Sequence, residues 1–212
     1  MDIARRSLTF MRGVLKGYAP SNVKKRLWDQ EFSEGKWDFI DSTVGDCVYP
    51  YLERHANHGH ILDLGCGPGN TATELAATVY QMYLGVDISE AALNKALRRS
   101  QESGRAAKNR FAQADFVDYV PTQKFDVILF RESMYHVPLG KVKSTLDRYA
   151  EYLADGGVFI VRLKTVGSHD NRMKPRPKAM LGIIASEFHV LEQGEHGDLG
   201  STVIVFRPRH KD

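Results

Sequence analysis

The sequence predicts an α/β protein built as a three-layer sandwich, in which a doubly wound, mainly parallel sheet carries helices on both faces. Three observations predict it. From residue 60 onward, short apolar strands alternate with amphipathic helices through short turns, the pattern of repeated strand–helix units. Phe125–Phe130 is a nearly continuous apolar strand, as expected when both of its faces are covered. Ile61–Leu64 runs into glycines at 65, 67 and 69 ahead of a helix-like segment. A sheet of this kind binds ligands there, at the carboxyl ends of its strands.

The chain has 212 residues, enough for one sizeable domain with its own core. Hydrophobic residues are 42% and charged residues 26%, which excludes a disordered chain. No apolar run is long enough to cross a bilayer, and no secretory signal pattern opens the chain. Cys47 and Cys66 show no framework spacing, and Cys66 lies inside the glycine run. Two such thiols predict a reducing, cytoplasmic setting. Seven of the 29 basic residues and one of the 26 acids fall in residues 1–26, so a basic arm precedes a slightly acidic body. Such an arm can steer an anionic substrate, a membrane surface or nucleic acid, but a solvated terminus is the simpler reading. A transit peptide is a lesser alternative.

In chain order, Pro20-Ser21-Asn22 signals a cap, and Val23–Phe32 reads as a helix with Leu27, Trp28 and Phe32 on one face. Gly35-Lys36-Trp37 breaks it. Asp41-Ser42 predicts a cap for a second helix over Thr43–His55, with Val44, Cys47, Val48, Tyr51 and Leu52 at helical spacing. Strand His60–Leu64, helix Asn70–Val79, and strand Tyr83–Val86 ending in Asp87 follow. Ser89 caps a helix to Ser103 with Ala91, Leu93, Ala96 and Leu97 toward the sheet. Next come strand Asn109–Ala114 ending in Asp115, strand Phe125–Phe130, and helix Leu139–Leu153. Asp155-Gly156-Gly157 turns into strand Val158–Leu163. A polar loop, a helix Lys178–Ser186, and strands Phe188–Gln193 and Thr202–Phe206 complete the chain. The organisation is an arm and helical lid over 1–40 and a sheet domain over 41–212.

The glycines read G-x-G-x-G, not the G-x-G-x-x-G of dinucleotide sites, and Asn70 stands where the third glycine would be. Asp63 before the loop and Asp87 after the second strand sharpen the signal, because a carboxylate can accept from both hydroxyls of a ribose. Ile61–Gly69 resembles the first motif of class I S-adenosylmethionine-dependent methyltransferases. Tyr83–Ser89 is similar to their second motif, Ala112–Phe116 to the third, Phe125–Phe130 to the fourth strand, and Tyr149–Leu163 to the helix, turn and fifth strand. The ordered set spans roughly residues 40 to 207. It implies a seven-stranded sheet with an antiparallel last strand, and S-adenosylmethionine as cofactor.

The resemblance implies roles residue by residue. The Gly65-Cys66-Gly67 backbone would face the methionine tail and ribose, flanked by Asp63 and Asn70. Asp87 would bind the ribose hydroxyls, Ile88 would pack on the adenine, Asp115 would meet its amine, and Phe116 its ring or a neighbouring loop. Arg131 would lie under the sulfonium by its backbone, with its side chain turned away from a fellow cation.

Arg131–Val137 follows the fourth strand and faces the methyl donor in this sheet type. His136 has a side chain of near-neutral ordinary pKa and is the candidate general base. The segment locally resembles phosphoethanolamine methyltransferases, where a His here pairs with an N-terminal Tyr; Tyr18 is the candidate partner. A His bonded into the sheet edge is the alternative. Glu132 could bind an acceptor amine or the donor ammonium, and Tyr135 could line the pocket. In-line positioning alone supplies much of such a reaction, so a base is not required.

Leu27–Asp38, carrying Trp28, Phe32 and Trp37, looks like the lid of small bacterial methyltransferases, and its aromatic faces suit a sulfonium. The core of an N-terminal helix pair accounts for these aromatics equally. His55, His58 and His60 lack an acid or Cys to complete a metal set and read as a solvated loop. Lys164–Lys178 holds Ser168, His169, Asp170 and Asn171 among Arg172, Lys174, Arg176 and Lys178. Its charge would suit an anionic acceptor, and a plain surface loop fits as well.

The reading is methyl transfer to O or N of a small molecule. The alternatives are a non-catalytic donor-binding protein and a nucleic-acid methyltransferase. No Asn/Asp-Pro-Pro-aromatic motif follows the fourth strand, which argues against the latter. The glycine spacing argues against a dehydrogenase.

Overall fold

The computed structural model describes residues 16, 19–165 and 175–209. The basic arm before Lys16, Tyr18, and Ser168, His169, Asp170, Asn171, Arg172 and Lys174 of the basic loop lie outside the described residues. The strands are β1 (His60–Leu64), β2 (Met82–Asp87), β3 (Asn109–Gln113), β4 (Phe125–Arg131), β5 (Leu153–Lys164), β6 (His189–His196) and β7 (Ser201–Arg207). They form one seven-stranded sheet in the order β3-β2-β1-β4-β5-β7-β6. β7 runs antiparallel to β5 and to β6, and the other neighbours pair in parallel. The antiparallel last strand is as the motif order implied.

The helices are α1 (Ser21–Ser33), α2 (Tyr49–His55), α3 (Asn70–Glu74), α4 (Glu90–Glu102), α5 (Val142–Ala150) and α6 (Pro175–Glu187). The period-2 alternation of the strands divides the core into two. Leu62, Leu64, Ile128, Phe130, Phe159 and Val161 pack with Val142, Leu146 and Tyr149 of α5 and Met180 and Ile184 of α6. Ile61, Tyr83, Val127, Leu129, Val158 and Ile160 pack on the opposite face with Tyr51 and Leu52 of α2 and Leu93 of α4. Chain direction therefore sorts helices to both faces. The strand order reverses between β1 and β4, which leaves a crevice at their carboxyl ends.

Three expectations are corrected. The helix expected over Thr43–His55 begins only at Tyr49. Gly45 takes φ +79°, which breaks a helix there, Val44 is exposed, and Pro50 occupies the first turn, where a missing N–H costs nothing. The helix expected over Asn70–Val79 stops at Glu74. Side chains remote in sequence take its carbonyls: Tyr80, Asn109 and Arg105 donate to Ala72, Arg105 also to Leu75, and Lys108 to Ala77. Leu97 is exposed rather than against the sheet; Ala92, Leu93 and Ala96 form the buried face of α4.

Ser89 caps α4 as expected, its Oγ accepting from Ala92 N at 3.2 Å. The lid helix α1 uses the same end. Asp29 accepts from Ser89 Oγ at 2.9 Å and from Ala91 N at 3.3 Å. A carboxylate there is favoured by the helix dipole, so α1 is held over the carboxyl edge of the sheet. Among the described residues no helix is long and apolar enough to cross a membrane.

Candidate active site

The β1–α3 turn is built by glycine. Gly65 takes φ +82°, and a Cβ there would stand 2.5 Å from Ser133 Cβ in the loop after β4. Gly69 takes φ +76°, and a Cβ there would meet Ala96 Cβ at 2.7 Å, so it lets the turn lie against α4. Only glycine satisfies both the backbone and the space at these positions. Between them, Gly67 N donates to Asp87 Oδ2 at 2.8 Å, while Ser89 N donates to Oδ1 at 2.9 Å. Asp87 is thus fixed by the loop on one side and the α4 cap on the other. Burial pushes its carboxyl up to about 6, against the pull of those N–H groups.

A cavity of about 400 Å³ opens at this edge, a size usual for small-molecule sites. Its floor is Gly65 and Gly67 after β1, Asp87 at the end of β2 with Ile88, Asp115 and Phe116 after β3, and Arg131 at the end of β4 with Glu132, Tyr135 and His136. Its roof is Trp28, Phe32 and Trp37 of the lid. Trp28 stands 5.4 Å from Trp37 and meets His136 edge-on at 5.0 Å. Lys16 Nζ lies 3.7 Å from the Trp28 ring centroid and donates to Glu31 at 2.5 Å. Trp37 Nε1 donates to the same carboxylate oxygen at 3.0 Å.

Asp63, Cys66 and Asn70 stand behind the floor, absent from the cavity lining among the described residues. Asp63 is buried and accepts from Tyr83 OH at 2.6 Å, and its other oxygen has no hydrogen-bond partner among the described residues. Burial raises its carboxyl to about 6. The Cys66 thiol is buried, and burial pushes its pKa up. Asn70 is structural in its contacts: its amide donates to the Ile40 carbonyl at 2.6 Å, and its Oδ1 accepts from Arg99 at 2.7 Å.

Arg131 lines the cavity, but its guanidinium turns to Asp46, with Nη2–Oδ2 at 2.9 Å. Glu132 is bonded within the protein, accepting from Arg162 Nη1 at 2.5 Å and from Tyr135 OH at 2.9 Å. Burial raises the Glu132 carboxyl, and Arg162 opposes that. Glu132 also holds φ +56°, a strained value for a non-glycine residue. The Tyr135 hydroxyl further receives the Lys164 backbone N–H. Glu132 and Tyr135 therefore clamp the loop after β4 to the end of β5. The clamp leaves His136 facing the cavity, and among the described residues its ring has no hydrogen-bond partner. Loss of water and the nearby charges of Lys16, Arg176 and Lys24 lower its pKa to about 4, against Asp115. It is neutral near pH 7.

Asp115 is engaged by the lid. It accepts from Lys24 Nζ at 2.9 Å and Ser21 Oγ at 3.1 Å. Lys24, Asp46 and Arg162 escaped the sequence reading. For Lys24 a signal existed: Ser21, Lys24, Trp28 and Phe32 share one helical stripe. Asp46 and Arg162 carried none, because their partners are distant in sequence. Among the described residues, no group of three or more His, Cys, Asp or Glu is placed to hold a metal.

These features define an α/β protein with a glycine turn and a buried acid, Asp87, in a crevice at the carboxyl edge of its sheet. A family model described as a methyltransferase domain matches residues 37–193, and the chain belongs to that family. It is 29% identical over 131 residues to 27-O-demethylrifamycin SV methyltransferase of Amycolatopsis mediterranei, covering 58% of this chain and 48% of that one. It is 32% identical over 130 residues to trans-aconitate 2-methyltransferase of Paracidovorax citrulli, covering 59% and 45%. The chain spans about half the length of these curated relatives. Among solved structures, the N-methyltransferase NodS of Bradyrhizobium japonicum, in complex with S-adenosyl-L-homocysteine, superposes with a TM-score of 0.64. The match covers 86% of this chain and 98% of that one, at 18% identity, and shows the shared fold.

Proposed function

We propose that the protein transfers a methyl group from S-adenosylmethionine to an O or N nucleophile of a small molecule. The observation that carries this is Asp87, tied to the Gly67 N–H and facing a cavity roofed by Trp28 and Trp37. The donor fits what is there: a carboxylate for two ribose hydroxyls, glycines at 65 and 67 that let the tail approach the backbone, and an aromatic roof of Trp28 and Trp37. Bound there, it supplies a methyl carbon on a sulfonium, which the nucleophile's lone pair attacks as the C–S pair returns to sulfur. Gly65 and Gly67 would hold the tail, Ile88, Asp115 and Phe116 the adenine, and the Arg131 backbone would face the sulfonium. Asp63, Cys66 and Asn70 support the turn from behind.

His136 is the group placed to hold the acceptor and take its proton; Glu132 and Tyr135 position it. The chain divides into an arm and helical lid over 1–40 and a methyltransferase domain over 41–212, with α1 and Trp37 covering the donor site. Both cysteines are free thiols, which fits a cytoplasmic setting. S-adenosylhomocysteine should bind the purified protein and raise its melting temperature; no binding and no shift would overturn the proposal.

A further inference from the structure

We propose that Lys24 of the lid is a specificity residue that reads the purine edge of the methyl donor. With Asp115 it forms an acceptor–donor pair: the carboxylate accepts from the 6-amino group, and the ammonium donates to a ring nitrogen beside that group. This rests on the cavity being the S-adenosylmethionine site, as proposed above. Lys24 and Asp115 both line the cavity, next to Ile88, Phe116 and Val117. Lys24 comes from α1 and Asp115 from the turn after β3. Their side chains are 11% and 8% exposed, and Nζ lies 2.9 Å from Oδ2.

Neither group is used up by the other. Asp115 Oδ1 accepts from Val117 N at 3.1 Å, and Oδ2 accepts from Lys24 Nζ and, at 3.1 Å, from Ser21 Oγ. A carboxylate offers about four acceptor positions, so room remains for one more donor. Among the described residues Asp115 is the only hydrogen-bond partner of Lys24 Nζ, and an ammonium has N–H donors to spare. A largely buried ammonium with unused N–H groups is unfavourable unless a further acceptor reaches it. The pair is also held in place, because Asp29, further along α1, is bonded to Ser89 Oγ and Ala91 N at the start of α4.

Adenine presents the complement of this pair. Its 6-amino group donates, and the ring nitrogens on either side, N1 and N7, accept. An ionised carboxylate only accepts, so Asp115 by itself reads the amine and neither nitrogen. An amine that donates to Asp115 stands beside the ammonium bound to the same carboxylate, and the nearer ring nitrogen then receives a charge-assisted hydrogen bond. The rival role for Lys24 is to pin the lid through Asp115 and touch no ligand. The two roles part on one point: a pin cannot sense the loss of a single ring nitrogen.

The test is isothermal titration of the full chain with S-adenosylhomocysteine and its 1-deaza and 7-deaza analogues, in which C–H replaces one ring nitrogen. The 3-deaza analogue, altered away from the amine, is the control. Wild type should bind the 1-deaza or the 7-deaza analogue about tenfold or more weakly than S-adenosylhomocysteine, and the analogue affected names the nitrogen. In Lys24→Met that loss should shrink to about twofold or less, although S-adenosylhomocysteine itself binds more weakly, while the effect of 3-deaza substitution stays as in wild type. Lys24→Met/Asp115→Leu replaces both charges with apolar groups and should show the same shrinkage; it serves if the single variant does not fold. A loss of equal size in wild type and variant leaves Lys24 as a pin of the lid and overturns the proposal. Unchanged affinity of wild type for both the 1-deaza and 7-deaza analogues overturns it too, as does a folded Lys24→Met that binds none of the ligands, since one hydrogen bond does not carry the whole affinity. If S-adenosylhomocysteine does not bind wild type, the methyl-transfer reading fails and this proposal with it; if it binds without discrimination by Lys24, only this proposal fails.

Discussion

Arg131 and Arg162 stand side by side, in register across the β4–β5 pair, at the edge that carries the site. Two guanidiniums directly opposite each other on one face of a sheet repel. Asp46, from the turn before α2, lies between them, 2.9 Å from Arg131 Nη2 and 3.5 Å from Arg162 Nε. Against the cost of its own burial, the two arginines hold its carboxyl below the usual range. Glu132 takes the far side of Arg162, so the row alternates in sign from Arg131 to the loop that presents His136.

Asp46→Ala leaves both guanidiniums buried without their shared counter-charge, and should cost about 3–5 kcal/mol in urea unfolding. Arg131→Met in the same background removes the now unmatched charge and leaves Arg162 with Glu132. The double variant should recover a large part of the loss. A double variant no more stable than Asp46→Ala would show that Asp46 acts other than by separating the arginines.

The glycine turn separates a backbone requirement from a packing one. Gly65→Ala meets both φ +82° and Ser133 Cβ at 2.5 Å. Gly104→Ala meets only φ +70°, with open space around it. The second should cost about 1 kcal/mol, from the left-handed backbone alone. The first should cost about 2 kcal/mol or more and weaken S-adenosylhomocysteine binding, since Ser133 must move. Equal costs in thermal denaturation would place the Gly65 requirement in the backbone only.

What the sequence disclosed follows the range of each interaction. The strand–helix alternation, the Ser89 cap and the glycine turn are local patterns, and they appear where expected. Asp87 was readable because its partners, Gly67 and Ser89, sit in motifs of their own. The helices over Thr43–His55 and Asn70–Val79 were overestimated because apolar spacing persists where the backbone does not. Gly45 ends one, and carbonyl partners from Tyr80, Arg105, Lys108 and Asn109 end the other. Asp46 and Arg162 gave no pattern, since a charge pair distant in sequence has no period. The Arg131 guanidinium is drawn to Asp46, which only the folded chain brings near.

His136 gives a test of burial through pH. Its folded value is about 4, against an ordinary 6.5, with loss of water first and Lys16, Arg176 and Lys24 next. The unfolded chain therefore binds a proton as pH falls below 6.5, while the folded protein does not until near 4. Stability is full above 6.5 and is lost through that window. With allowance for its partial exposure, about 2 kcal/mol of acid sensitivity belongs to this residue. His136→Gln should lose that much less than wild type between pH 7 and pH 4 in urea titrations. It should also retain S-adenosylhomocysteine affinity while losing turnover. Identical acid sensitivity in the two proteins would show that His136 is not held neutral by the fold.

Asp87 titrates in the opposite sense, and its effect falls on binding. Burial raises its carboxyl from the ordinary 3.8 to about 6. Ribose hydroxyls donate to the ionised form, so a ligand arriving below pH 6 must displace a proton. S-adenosylhomocysteine affinity should be level above about pH 7 and fall by up to about tenfold per pH unit below 6. Asp87→Asn removes the charge, so it should weaken binding by about tenfold or more at pH 7.5 and flatten the profile. Asp63 supplies the control: its carboxyl also lies at about 6, but it stands behind the cavity floor. Asp63→Asn should therefore keep the slope below pH 6. A slope that vanishes in Asp63→Asn and survives in Asp87→Asn would move the ribose contact, and the proton it displaces, from one carboxylate to the other.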